Sequence, residues 1–181
     1  DMIREREIST QDGFSFQTGA GGTSLSVSQY FREIMKERGI KARFARGGSN
    51  KYLVEMLEEG LVDYLAPQIY WDFEKNPRFD VLANDWVNKS YSKNIVLGLA
   101  AYKSDVKDEL SKMIDYSRKI NAAGIAFFRY EFIANESDKY FSQIAFPEKM
   151  DWKNIQNSHE KLYSLINIYS EDEVIISWKH K

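Results

Sequence analysis

The sequence predicts an α/β fold made of repeated βα units around a parallel sheet. Three observations predict it. Short strand-like segments, either apolar or with apolar and polar residues in alternation, are followed by amphipathic helical patterns; the connections between them are short; and glycines lie in most of these connections. This alternation favours parallel strands joined by right-handed crossovers. Either an open doubly wound sheet or part of a (β/α)8 barrel satisfies it, and 181 residues suffice for one domain with a small appendage.

The first unit begins with an alternating strand, GFSFQ, at residues 13–17. A glycine-rich turn with Gly19, Gly21 and Gly22 follows, and the next apolar residues recur at helical spacing. Gly39 is placed to end that helix in the left-handed conformation that glycine adopts without cost. The segment therefore reads as strand, tight turn and helix.

The second unit repeats this order. Residues 40–45 (IKARFA) alternate as a strand, and the pair Gly47 and Gly48 breaks the pattern. Ser49 or Asn50 can then cap a helix, because both side chains accept hydrogen bonds from free backbone N–H groups.

The same alternation continues to the end of the chain. Pro67 lies inside the third predicted strand and indicates a bend or a strand end there. The predicted elements are a strand at 61–71, a helix at 79–86, a strand at 95–101, a helix at 106–120, a strand at 124–132, a helical stretch at 158–166 in a polar C-terminal tail, and a last strand at 174–178.

Composition excludes several classes of function. The net charge of −2, with basic and acidic residues interspersed, offers no basic surface for nucleic acid. The chain has no cysteine, and its two histidines lie near the C-terminus, so we predict no metal site and no cofactor. No apolar run approaches 18 residues, which predicts no membrane span.

The N-terminal third carries a resemblance to a known family. The segments GFSFQTGAGG, SLSVSQYFREIMKERGIKARF and RGGSNKYLVEMLEEGL, within residues 5–65, closely resemble the α subunit of citrate lyase. The resemblance implies a CoA-transferase-like α/β fold, transfer of an acyl-carrier thioester onto citrate, and a cytoplasmic location. Acyl carrier protein, a CoA thioester and the lyase subunits are the implied partners.

The glycines of this part are an acyl- or phosphate-binding candidate. They let backbone N–H groups approach a thioester oxygen, a phosphate or a carboxylate at a helix N-terminus. Two tight βα turns without any ligand explain the same pattern equally well. The candidate residues are Gly19, Gly21, Gly22, Gly47 and Gly48.

From residue 61 onward the chain resembles a different family. The blocks APQIYW, LGLAAYK, GIAFFR, FPEKMDW and VIISW resemble, in order and spacing, the C-terminal half of the glycosyl-hydrolase-like family 10. This resemblance implies part of a (β/α)8 barrel, an exported or lipid-anchored location, and cell-wall glycans as partners. The chain thus reads as a composite with three regions: 1–60 citrate-lyase-α-like, 61–150 a glycosidase-like partial barrel, and 151–181 a linker or tail.

The strand ends of such a barrel form its ligand rim. Aromatic rings beside polar groups suit a sugar, whose C–H faces stack while its hydroxyls form hydrogen bonds. The alternative is that these rings fill the barrel or the helix layer. The predicted substrate-binding residues are Gln68, Tyr70, Trp71, Tyr102, Lys103 and Arg129.

Catalysis needs more than this rim. A glycosidase uses two carboxyl groups, and Asp72 and Glu131 are the carboxylates that the sequence places nearest to the rim. Asp72 can instead cap the following loop, and Glu131 can be solvated. The acidic block of the family's first barrel half has no counterpart here, so the resemblance implies an incomplete active site.

Three functions therefore stay open: a glycan-binding or glycosidase-like fragment, an acyl-transferase fragment, and a fold with neither activity. Five parallel strands do not close a barrel of eight. We therefore expect exposed edge strands or pairing with a second copy in a homodimer.

Overall fold

The computed structural model describes residues 12–19 and 21–141, together with the backbone of residues 165–169 and 174–178. The chain divides into two compact units, residues 1–146 and 147–181. Each unit is described by itself.

The first unit is built on a five-stranded parallel sheet with strand order β1-β2-β3-β4-β5. The strands follow one another across the sheet as they do along the chain, so the order never reverses as it does at the switch point of a doubly wound sheet. Consecutive strands of a (β/α)8 barrel have this order, although no closed barrel is present in the described residues. The strands are β1 Phe14–Thr18, β2 Ala42–Gly47, β3 Val62–Pro67, β4 Asn94–Leu99 and β5 Gly124–Phe127.

Helices connect the strands, which confirms the predicted α/β class. A short 3-10 helix, Tyr130–Phe132, follows β5. The α-helices are α1 Gly22–Arg38, α2 Lys51–Glu58, α3 Phe79–Asn88, α4 Ser104–Asp108, α5 Leu110–Lys119 and α6 Ser137–Tyr140.

The helix ends follow from local chemistry. Gly39, in the left-handed conformation, ends α1 as predicted, and its N–H points to the carbonyl of Lys36. Asn50 rather than Ser49 caps α2, because its Oδ1 accepts the N–H groups of Tyr52 and Leu53. The predicted helix at 106–120 is two helices separated at Glu109.

Two strands are shorter than predicted. β3 ends at Pro67, which has no N–H to donate, and only an isolated bridge from Gln68 to Gly98 continues the pairing. β5 ends at Phe127 instead of residue 132, since the chain turns into the 3-10 helix after Phe128 donates to the carbonyl of Leu99.

The hydrophobic core lies between the helices and one face of the sheet. Side chains from both predicted sequence regions join a single buried cluster. Its largest fully buried members include Met35, Leu53, Met56, Leu57, Leu65, Phe79, Leu97, Leu99, Leu110 and Met113.

The opposite side of the sheet is open to solvent. Strand pairing places side chains of neighbouring strands in rows across this side of the sheet. Phe44 lies between Ser15 and Tyr64 in one row, and Arg46 lies between Gln17 and Ala66 in the next. Side chains in these rows are half-buried or exposed. We define the open face by Ser15, Gln17, Phe44, Arg46, Tyr64, Ala66, Gln68, Asn94 and Val96.

The second unit contains an antiparallel pair, β6 Leu165–Tyr169 and β7 Val174–Trp178. The predicted last strand at 174–178 is confirmed. The predicted helical stretch at 158–166 is wrong at Leu165 and Ile166, which belong to β6, because apolar residues there pair with β7. Residues 158–164 of that prediction lie outside the described residues.

Candidate functional site

Three aromatic rings meet at the carboxyl ends of β3, β4 and β5. Tyr70 contacts Phe128 in a stacked arrangement with ring centroids 6.1 Å apart. Tyr102 meets both rings edge-on, at 6.2 Å from Tyr70 and 5.8 Å from Phe128. Tyr102 is 43% exposed and Phe128 is 50% exposed. We call these three residues the aromatic cluster.

Polar groups surround the aromatic cluster. The Nζ of Lys103 donates to the backbone carbonyl of Tyr70 at 2.9 Å, which fixes the position of the strand end. Gln68, two residues before Tyr70, is a half-buried polar residue at the same strand end. Burial raises the pKa of Tyr70, so the hydroxyl of Tyr70 stays protonated and can donate to a ligand. The structure thus brings together four of the six predicted binding residues.

Trp71 and Arg129 lie differently. Trp71 is 37% exposed and makes no ring contact with the aromatic cluster among the described residues. Arg129 pairs with Glu131 at 2.7 Å, and its guanidinium carbon lies 5.7 Å from the ring centroid of Phe132. Since Phe132 itself contacts Tyr102 at 6.5 Å, Arg129 borders the cluster through one intervening ring.

Arg46 is a residue that sequence reasoning did not single out. It is exposed on the open face, and its positive charge lowers the pKa of both Tyr64 and Tyr70, although burial raises each of these pKa values more strongly. In the register of β2 on β3, Arg46 lies opposite Ala66, which is two residues from Tyr64 along β3. The sequence feature that could have indicated Arg46 is the two-residue period of β2, which puts Arg46 on the same face as Phe44.

Asp72 has a structural role in the loop after β3. The residue is 5% exposed, and Oδ1 accepts the N–H groups of Glu74 at 2.9 Å and Lys75 at 2.7 Å. The Nζ of Lys75 lies 3.4 Å from Oδ2. The hydrogen bond from the backbone N–H of Lys75 is the main cause of the lowered pKa of Asp72. The carboxylate is therefore ionised and is not suited to be a general acid.

Glu131 lies in the 3-10 helix, where it is exposed and paired with Arg129. A glycosidase acid is a carboxyl group held in an apolar pocket beside the bond to be cut, whereas Glu131 is in contact with solvent. Asp72 and Glu131 therefore do not form a pair of one acid and one base.

The two glycine turns lie next to each other at the same edge of the sheet. Gly48 donates its N–H to the carbonyl of Thr18 at 3.0 Å, and the hydroxyl of Thr18 donates to the carbonyl of Gly48 at 2.7 Å. Gly47 has φ +108°, and a Cβ there would lie 2.1 Å from the carbonyl oxygen of Thr18. Glycine at 47 is thus required by the close approach of β1 and β2.

The turns differ in how much room they leave for a ligand. The side chain of Asn50 already occupies the first N–H groups of α2. No side chain caps α1 at Gly21, and a Cβ at Gly21 or Gly22 would meet open space. Gly19 donates its N–H to the hydroxyl of Ser24, so it is already engaged. Of the two turns, the first has a helix N-terminus that no described side chain caps.

Among the residues that the structure describes, no group of three or more His, Asp or Glu side chains could hold a metal ion. In the same part of the chain, no helix combines the length and the apolar character needed to cross a membrane.

The fold and the site define an α/β protein with a sequentially ordered parallel sheet and a group of aromatic and polar side chains at the strand ends. The family model of the citrate lyase alpha subunit matches residues 2–92, which is half of the chain, so the chain belongs to that family. The match extends past the predicted limit near residue 65 and includes β3 and α3.

Individual relatives fall into two groups. The citrate lyase alpha chain of Escherichia coli (strain K12) is 35% identical over 85 residues, which is 43% of this chain and 17% of the relative. The glycosyl hydrolase DigH of the same strain is 46% identical over 50 residues, 26% of this chain and 11% of the relative. The glycosyl hydrolase YngK of Bacillus subtilis (strain 168) is 46% identical over 50 residues, covering 26% and 10%.

Both predicted resemblances are therefore confirmed. The chain spans 17% of the length of the E. coli citrate lyase alpha chain and about one tenth of the two glycosyl hydrolases that it matches.

Proposed function

We propose that the chain binds a carbohydrate at the aromatic cluster without hydrolysing it. The observation that carries this proposal is the convergence of three partly exposed rings from three neighbouring strand ends. Stacking rings next to a tyrosine hydroxyl and the side chain of Gln68 provide the two kinds of contact that a sugar ring accepts. The match to proteins named glycosyl hydrolases supports the same class of ligand.

The absence of hydrolysis follows from the carboxylates. Hydrolysis requires a protonated acid and a second carboxylate on opposite sides of the bond to be cut. Asp72 is held ionised by its loop, and Glu131 is paired with Arg129. We therefore expect binding of glycan strands with no release of reducing ends.

Binding is tested by titrating the protein with the N-acetylglucosamine tetramer and with peptidoglycan glycan strands, using calorimetry. The test variant is Tyr102→Ala, and the matched control is Tyr91→Ala, because Tyr91 is 44% exposed but lies between α3 and β4. One aromatic stacking contact is worth about 0.5–1.5 kcal/mol, so Tyr102→Ala should weaken binding roughly threefold to tenfold. The Tyr91→Ala protein should bind as the wild type does.

Two results contradict the proposal. One is the absence of binding by the wild-type protein at millimolar sugar. The other is an equal loss of affinity in both variants, which would mean that the aromatic cluster is not the binding site.

A second candidate function is binding of an acyl thioester or CoA at the first glycine turn. Membership of the citrate lyase alpha family and the uncapped N-terminus of α1 favour it. CoA should shift the amide resonances of Gly21 and Gly22, and Gly21→Ala, which adds a methyl group in open space, should reduce the shift. Unchanged amide resonances at millimolar CoA would remove this candidate.

A further inference from the structure

The open face carries charge of one sign. Its residues include Arg46 and no aspartate or glutamate. The acid in β3, Asp63, alternates onto the face of Leu65, and it lies electrostatically near Lys93 and Lys41 rather than near Arg46. A ligand on the open face therefore meets a positive charge with no acidic neighbour in the described part of this face.

The guanidinium of Arg46 has no ion pair among the described residues. It lies in a row with Gln17 and Ala66, and Ala66 has a small side chain. A planar guanidinium with such surroundings can bind a carboxylate with two parallel hydrogen bonds.

Arg46 and the aromatic cluster belong to one continuous surface. Tyr70 is a member of the cluster, and it follows Gln68 by two residues and Ala66, the partner of Arg46 on β3, by four. A sugar ring that stacks on the cluster therefore extends toward the guanidinium along β3. A carboxyl group on the next sugar residue is the substituent that this position fits.

We infer that the carbohydrate is an acidic one, a carboxylated oligosaccharide whose carboxylate binds Arg46 while a neighbouring ring stacks on the aromatic cluster. This inference rests on the proposed function and adds the chemical class of the ligand. It makes Arg46, on β2, a specificity-determining residue for binding at a site formed mainly by residues that follow β3, β4 and β5.

The experiment compares three probes on the full chain: trigalacturonate, which has sugar rings and carboxylates; the neutral N-acetylglucosamine trimer; and citrate, which has carboxylates and no ring. The wild type should bind trigalacturonate at least tenfold more tightly than the neutral trimer. Citrate should bind more weakly than trigalacturonate, because it cannot stack on the cluster.

Variants at Arg46 isolate the carboxylate contact. Arg46→Gln should lose roughly tenfold in affinity for trigalacturonate and less than twofold for the neutral trimer. Arg46→Lys should fall between, since lysine keeps the charge but lacks the planar fork. Lys89→Gln removes the same charge from the exposed end of α3 and should change neither affinity. Thermal melting of each variant establishes that it is folded.

The outcomes separate this inference from the proposed function. Equal affinity of the wild type for both trimers, or an equal loss of both in Arg46→Gln, overturns the inference and leaves sugar binding intact. Citrate binding as tightly as trigalacturonate also overturns it, because Arg46 would then serve a free carboxylate. If neither trimer binds, the proposed function fails and the inference fails with it.

Discussion

The replacement Gly47→Ala should destabilise the protein strongly, although it adds one methyl group. Gly47 ends β2 with φ +108°, a conformation that an alanine side chain rarely adopts. The added Cβ would lie 2.1 Å from the carbonyl oxygen of Thr18, which is backbone on the neighbouring strand and cannot rotate away. Either β1 must shift or the turn must open.

The size of the effect follows from these contacts. Backbone strain of this kind costs about 1–3 kcal/mol. Moving the Thr18 carbonyl also breaks its hydrogen bond with the N–H of Gly48, now 3.0 Å long, which adds about 0.5–1.5 kcal/mol. The free energy of unfolding should therefore fall by about 2–4 kcal/mol, a large share of the stability of a typical domain.

Urea unfolding measures this loss. With a slope near ~2 kcal/mol per molar urea, the midpoint should fall by about 1–2 M. Gly22→Ala is the matched control: the methyl group meets open space in the first turn of α1, so stability should be unchanged or should rise by up to about 1 kcal/mol. A Gly47→Ala protein as stable as the control would refute the steric reasoning.

Three further predictions concern the cap of α2, the loop after β3 and the sheet edges. Asn50→Ala should lower the free energy of unfolding by about 1–2 kcal/mol in urea, and Asn50→Asp by less, because aspartate keeps the cap and loses only the hydrogen bond to Ser28. The folded pKa of Asp72 is lowered, so its contribution is present above the unfolded pKa near ~3.9 and is lost as pH falls through the folded value. Asp72→Asn should thus be less stable than the wild type at pH 7, with a difference in urea midpoint that shrinks by pH 3; a constant difference would contradict this. The outer edges of β1 and β5 are unpaired in the described residues, so light scattering should give twice the mass of one chain, and a monomeric mass at high concentration would contradict pairing.

The types of most elements could be predicted from sequence, because hydrophobic period is a local signal. Their ends could not, because partners distant in sequence decide them. The alternation in GIAFFRYEF continues past Phe127, yet β5 ends at Phe127, the residue that pairs with Leu99 of β4. In the same way, the carboxylate of Glu109 accepts the N–H of Phe73 at 2.9 Å, a tertiary contact at the break between α4 and α5 that no helical period reveals.

In the candidate site, too, some features could be predicted from the sequence and others depend on contacts between distant residues. Gln68, Tyr70, Tyr102 and Lys103 could be predicted as neighbours because the carboxyl ends of consecutive parallel strands share one edge. Arg46 could not be added without the register of β2 on β3, which puts it opposite Ala66. The lowered pKa of Asp72 likewise depends on loop geometry that its position in the sequence only suggests.

The sheet also changes what the two resemblances mean. Ala45 pairs with Leu65 and Arg46 pairs with Ala66, so β2 and β3 form continuous ladder contacts across the predicted limit at residue 60. The division at 60 stays a prediction about sequence origin, because residues on both sides contribute to one core. The proposed binding surface also includes residues from both sides of this limit: Arg46 comes before residue 60, and the aromatic cluster comes after it. A ligand that contacts both would therefore depend on the union of the two parts, and neither part alone contains all of its contacts.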